Sequence, residues 1–119
     1  MSAHELYVRG GEHDSACRAD EAIPPYEQAL AAGLGGEERA RCLLQLGSSL
    51  RNVDRVSDAV ALLQNARREF PEFRPLRAFL ALALHSAGRD AEALRELLEA
   101  IADESDYERS LRAYAAELV

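Results

Sequence analysis

The segment LLQLGSSL at residues 43–50 returns 34 residues later as RAFLALAL at residues 77–84. Leucines align with leucines in the two copies, and Gly47 aligns with the small residue Ala81. The same offset aligns three further pairs of apolar residues, namely Ala59 with Ala93, Leu63 with Leu97, and Ala66 with Ala100. A constant period of this length predicts a repeat protein whose units stack on one another to form one continuous core.

An earlier and less regular copy precedes these two. Gly10 stands in the position of the small residue on its first helix, and Ala22 and Tyr26 lie on its second helix. Ala22 precedes Ala59 by 37 residues, three more than the period. The glycine-rich stretch at residues 33–36 accommodates the surplus, because glycines permit turns and interrupt helices.

The composition favours an all-α fold. Hydrophobic residues make up 48% of the 119 residues and charged residues 29%, which is typical of a folded globular protein. The apolar residues are mostly Ala and Leu, which are strong helix formers, and Trp is absent. We predict helices at about residues 3–16, 19–32, 37–52, 55–70, 75–87, 90–102 and 106–118.

This pattern resembles the tetratricopeptide repeat family, whose 34-residue unit follows W-x2-L-G-x2-Y…A-x3-F…P. Residues 40–73 match it best, through Leu43, Leu46, Gly47, Leu50, Ala59, Leu63, Ala66 and Pro71. Residues 74–107 also match, with Arg77 in the first aromatic position and Ser105 in the proline position. The resemblance implies a right-handed solenoid of three antiparallel helix pairs with a C-terminal capping helix.

We therefore expect one domain over residues 1–119. Its predicted parts are repeats at about residues 3–36, 37–73 and 74–105, and a capping helix at about 106–118. Ser2 and Ser105 each begin a capping box, with Glu three residues later. Gly88 stands where a left-handed residue ends a helix, and Asp54 takes the corresponding place one repeat earlier.

The charge and hydropathy of the chain bear on its partners and location. Its net charge is −7, from 21 acidic and 14 basic residues, whereas binding to nucleic acid requires a basic face. No run of apolar residues approaches the roughly 18–20 that a membrane helix needs. Residues 1–5 lack the basic and apolar regions of a secretory signal, so we expect a cytoplasmic protein that binds neither nucleic acid nor membrane.

Residues with catalytic or metal-binding chemistry are few and scattered. His4 and His13 are nine residues apart and point to different sides of a helix. His13 and Cys17 could face one way, but two ligands do not make a zinc site. No Ser/His/Asp order, phosphate-binding loop or HExxH motif is found. We expect no enzyme, cofactor or metal, with a small enzyme or metal-binding protein as the alternative from another class.

By resemblance, the first helix of each repeat lines a concave groove that holds a peptide or protein partner. The implied groove positions are Tyr7, Asp14, Arg41, Leu44, Gln45, Ser48, Arg51, Asn52, Phe79, Leu82 and His85. Arginines beside an apolar patch suit a peptide with an acidic group and an apolar anchor. The alternative is that Arg51 and Asn52 cap a helix end and that Phe79 belongs to the core.

Self-association is the second function that the sequence leaves open. An exposed patch at Phe79 and Leu82 would favour a homodimer, as in a homo-oligomerising structural or regulatory helical-repeat protein. The identity of the partner does not follow from the residues.

Overall fold

The computed structural model describes residues 1–103 and 106–119, which form seven α-helices and no strand. The helices are α1 (Ala3–Ser15), α2 (Ala19–Ala31), α3 (Gly36–Asn52), α4 (Val56–Glu69), α5 (Pro75–Ser86), α6 (Asp90–Ala102) and α7 (Glu108–Glu117). The predicted all-α class is confirmed, and each helix end lies within two residues of its predicted position. Ser105, which was expected to cap the last helix and to end the third repeat, lies outside the described residues.

The helices form a stack of pairs. Consecutive helices contact each other within the pairs α1–α2, α3–α4 and α5–α6, and the same holds between pairs, at α2–α3 and α4–α5. Each pair thus packs on its neighbours in the manner of a helical-repeat solenoid. The last helix, α7, contacts α6.

The turn inside each pair repeats the same geometry. Cys17, Asp54 and Gly88 lie at equivalent positions and have left-handed backbones, with φ of 59°, 65° and 76°. Positive φ is uncommon for residues other than glycine, so its recurrence shows that the turn is a repeated structural feature. An arginine follows each of them and pairs with an acidic residue three positions later, in Arg18–Glu21, Arg55–Asp58 and Arg89–Glu92.

Small residues permit close approach of the two helices in a pair. A Cβ atom added to Gly47 would lie 2.5 Å from the Leu63 side chain, and one added to Gly10 would lie 2.4 Å from the Tyr26 ring. Both distances are too short for real atoms. Glycine at these two positions therefore allows the two helices of each pair to approach closely.

The third pair contains a buried ionic cluster instead of an aromatic core residue. Arg77, only 9% exposed, lies 3.1 Å from Glu96, 3.3 Å from Glu99 and 3.2 Å from Asp103. Arg67 of α4 also pairs with Glu96, at 2.7 Å. Because buried charges need partners, this cluster explains how an arginine can occupy a position that normally holds an aromatic side chain.

The start of the chain agrees with its predicted cap. The backbone N–H of Glu5 donates a 3.1 Å hydrogen bond to the Ser2 hydroxyl oxygen, so Ser2 is the N-cap of α1.

Candidate functional site

The first helices of the pairs lie closer together than the second helices. α3 contacts both α1 and α5, whereas α2, α4 and α6, all of them fully described, have no Cα atoms within 8 Å of one another. A stack with this asymmetry curves toward its first helices. We call the surface formed by α1, α3 and α5 the inner face.

On α1, the groove positions are tied into the first pair. The Tyr7 ring is half-buried, 6.3 Å from the Tyr26 ring between centroids, and burial raises the pKa of Tyr7. Asp14 accepts hydrogen bonds from the Tyr26 hydroxyl at 2.6 Å and from the Ser49 hydroxyl at 3.2 Å. Burial, followed by the contact with Asp14, raises the pKa of Tyr26 far above its usual value. Asp14 therefore joins three helices.

Near the start of α3, the Arg41 side chain contacts both a carboxylate and an aromatic ring. Arg41 is exposed, donates to Glu37 at 2.8 Å, and lies 5.8 Å from the centre of the Phe73 ring, a cation–π distance. The hydrogen bond with Glu37 raises the pKa of Arg41, so its charge is secure. Nearby on the chain, Glu38 lies 2.7 Å from His4 of α1. The contacts with Glu37 and Phe73 hold the Arg41 guanidinium at the surface.

At the end of α3, a second arginine links two helices. Arg51 Nε donates a 2.9 Å hydrogen bond to the Ser86 hydroxyl of α5. Asn52 is the last residue of α3 and is exposed. His85 Nδ1 lies 2.6 Å from a carboxylate oxygen of Asp90, across the turn from α5 to α6. Arg51 thus bridges neighbouring pairs.

The remaining groove positions differ in their exposure. Leu44 and Phe79 are half-buried and pack against the core, whereas Leu82 is 43% exposed. Ser48 is half-buried. Gln45 is also half-buried, and its side-chain carbonyl oxygen is fully enclosed, with no hydrogen-bond partner among the described residues. The apolar part of the inner face is therefore centred on Leu82.

Two contributors to this face were missed at the level of sequence. Phe73 stacks with Arg41 from the turn between α4 and α5, and Glu37 holds that arginine from the preceding turn of its own helix. The spacing of four residues between Glu37 and Arg41 is a sequence signal for such a pair. Phe73 lies outside the repeat pattern, so no comparable signal marks it.

A cleft with a strongly charged lining is formed by the last helix pairs of the stack. It has a volume of about 270 Å³ and is lined by side chains of α4, α5 and α6, together with Val119. Its Arg67 and Arg95 are paired with Glu99 or Glu96, and Arg68 donates to Asn65. These pairs satisfy the lining arginines within the protein itself.

A family model described as Tetratrico peptide repeat matches residues 3–118. The chain belongs to the tetratricopeptide repeat family, whose members generally mediate protein–protein interactions and are typically not enzymes. No curated protein matches the chain.

Within residues 1–103 and 106–119, no three His, Cys, Asp or Glu side chains are grouped to hold a metal ion. Among the described helices, none has the length and apolar character needed to cross a membrane.

Proposed function

We propose that the chain binds an extended peptide segment of a partner protein along its inner face, through the first helix of each pair. The supporting observation is that Arg41 and Arg51 both project from α3 and are both held by neighbouring side chains. A guanidinium that is already oriented loses less conformational freedom when it binds a carboxylate.

The chemistry of this face defines the class of peptide. The two arginines can each donate paired hydrogen bonds to a carboxylate. Leu82 offers an apolar surface to an aliphatic or aromatic side chain, as binding anchors require. The ligand is thus a peptide with at least one acidic residue and one large apolar residue, in an extended conformation.

Fluorescence polarisation with labelled extended peptides tests this proposal. A peptide carrying glutamates and a leucine anchor is compared with a matched peptide carrying lysines in place of the glutamates. Arg51→Glu and Leu82→Glu should each weaken binding of the acidic peptide by about tenfold or more, equivalent to about 1.4 kcal/mol. Arg68→Glu makes the same charge change on an exposed part of α4 and serves as the control.

The outcomes separate clearly. The proposal is supported if Arg51→Glu and Leu82→Glu both bind the acidic peptide more weakly while Arg68→Glu binds it like the native chain. Equal affinity for both peptides, or unchanged binding in Arg51→Glu and Leu82→Glu, rejects it. Affinity capture from a lysate with the wild-type chain and Arg51→Glu then identifies the natural ligand.

A homodimer formed through Phe79 and Leu82 receives less support. Phe79 packs against the core and is only partly accessible, which leaves Leu82 as the exposed large apolar side chain of α5. One leucine per chain offers little area for a stable interface. A larger apolar surface lies on α6.

A further inference from the structure

The outer side of α6 carries an exposed apolar stripe. Leu94, Leu97 and Ile101 are 47%, 40% and 59% exposed, and their spacing of three and four residues puts them on one side of the helix. Single exposed leucines are ordinary on protein surfaces. A row of three on one helix indicates an interaction surface.

The equivalents of Leu94 and Leu97 in the other two pairs are buried, whereas those of Ile101, Leu30 and Arg67, are half-buried. Leu94 corresponds to Val60 and Ile23, and Leu97 corresponds to Leu63 and Tyr26, all of them at most 5% exposed. In those pairs the second helix is packed against the first helix of the next pair, α3 or α5. Leu94 and Leu97 therefore lie where a further layer of the stack would sit, and Ile101 lies at its edge.

The last helix, α7, does not fill that place. α3 and α5 each contact both helices of the preceding pair, but α7 contacts α6 and has no Cα atom within 8 Å of α5, both helices being fully described. Its sequence explains the difference. Residues 34 positions apart are equivalent, so Glu117 of α7 corresponds to Ala83 of α5, which is fully buried. A stacked α7 would bury that carboxylate, at a large cost.

The opposite end of the stack has different chemistry. Cys42 donates to the Tyr26 carbonyl oxygen and Ser49 to Asp14, so these two positions of α3 face the preceding pair. Their equivalents on α1 are Glu5 and Glu12, both exposed. Head-to-tail stacking of α1 on the stripe would bury these two carboxylates without partners. Of the two ends, only the α6 end can meet an apolar surface.

We propose that two copies of this chain associate through their α6 stripes, C-terminal end against C-terminal end, around a twofold axis. The stripe contains no charged side chain, so it is complementary to itself, as a twofold interface requires. Because α1 cannot bind the stripe, the assembly closes at two chains and does not extend into a filament. α6 has 13 residues and is therefore about 20 Å long, so the interface is small and the dimer forms at high protein concentration.

This proposal is independent of the peptide groove, since the stripe lies on α6 and the inner face on α1, α3 and α5. Sedimentation equilibrium of the whole chain should show an average mass that rises from one chain toward two between about 10 µM and 1 mM. Higher salt should strengthen the association, because each copy carries a net charge of −7 and salt screens the repulsion.

Variants locate the contact. Leu97→Glu and, separately, Ile101→Arg should weaken dimerisation by about tenfold or more, with helix content unchanged in circular dichroism. Val8→Glu on α1 and Leu82→Glu on α5 are matched controls, because each side chain is 43% exposed in the native chain. Both controls should dimerise like the native chain. Leu97→Glu should bind the peptide like the native chain, whereas Leu82→Glu should bind it about tenfold more weakly or worse.

Three results would overturn the proposal. The first is a native chain that stays monomeric up to about 1 mM, in which case the stripe serves another protein or none. The second is loss of the dimer in Val8→Glu, which would place the contact at α1. The third is a contact outside the α6 stripe. Either loss of the dimer in Leu82→Glu or a dimer that persists in both Leu97→Glu and Ile101→Arg would show this.

Discussion

The hydroxyl of Tyr26 donates a 2.6 Å hydrogen bond to Asp14, whose other carboxylate oxygen accepts from Ser49. Tyr26 is fully buried, with its ring against the backbone of Gly10. The first, second and third helices thus meet at one carboxylate. The least regular repeat of the chain is fastened to its neighbour by polar contacts at this point.

Tyr26→Phe removes one of these bonds and keeps the ring. We expect a loss of about 1.5–3 kcal/mol in the free energy of unfolding, the range for hydrogen bonds to charged groups, since Asp14 is partly buried. Urea denaturation measures the loss. Tyr114→Phe, at a side chain 63% exposed, is the control and should change stability by less than about 0.5 kcal/mol. Equal stability of the two variants would contradict the role of the bond.

The glycines of the first helices offer a pair of opposite predictions. Gly47→Ala should destabilise the chain by about 1–3 kcal/mol through overpacking, because the new Cβ would meet Leu63 at 2.5 Å. Gly11→Ala should stabilise α1 by about 0.5–1 kcal/mol, since no atom lies within 4 Å of the added Cβ and alanine favours the helix. Thermal unfolding of both variants compares the signs. If Gly47→Ala raised the stability of the chain, α3 and α4 could move apart without loss of stability, and the prediction would be wrong.

The buried ionic cluster predicts that substitutions of Arg77 and Glu96 have non-additive effects on the free energy of unfolding. Arg77→Leu leaves Glu96 buried with Arg67 as its remaining partner. We expect the free energy of unfolding to fall by about 1–3 kcal/mol, which is less than the loss of about 3–5 kcal/mol when a buried charge keeps no partner. Adding Glu96→Leu should restore part of that loss, because two apolar side chains can replace a buried pair. A double-mutant cycle in urea measures the coupling. Additive losses would show that the two charges act independently.

The two cysteines should react very differently. Burial raises the pKa of the Cys42 thiol to about 12, whereas Cys17 is exposed at a turn. At pH 8 a thiol reagent should modify one cysteine in the folded chain and both after unfolding. Above about pH 8.5 the unfolded state loses the Cys42 proton before the folded state does. Stability should therefore fall as pH rises from there toward 12.

Cys42→Ala provides the control for that pH dependence. It removes the titrating thiol, so its stability should lack the part of the alkaline decline that is due to Cys42. Rapid modification of Cys42 in the folded chain would show that α3 opens locally near the thiol.

The regular parts of the fold were predictable because they depend on residue size and backbone conformation. Gly47 indicates a close helix contact, and Gly88 indicates a left-handed turn, whatever the rest of the chain does. Such requirements are local or recur with the repeat, so the period alone locates them. The bounds of the helices follow from the same signals.

The polar contacts were not predictable in the same way. Arg77 is 19 residues from Glu96 and 26 from Asp103, and the repeat pattern expects an aromatic side chain in its place. Asp14 accepts a hydrogen bond from Ser49, 35 residues away, a contact that the expected groove position did not include. The period predicts which helices are neighbours, whereas pairing of polar atoms depends on side-chain conformations that the pattern does not encode.

The position of α7 also has a consequence for motion. Every other described helix contacts two or more neighbours, but α7 contacts α6 alone. Release of α7 therefore breaks a single helix–helix interface, and its amides become exposed to solvent at a lower free-energy cost than those of α3 or α5. We therefore expect the amides of α7 to exchange hydrogen with solvent faster than those of the three helix pairs.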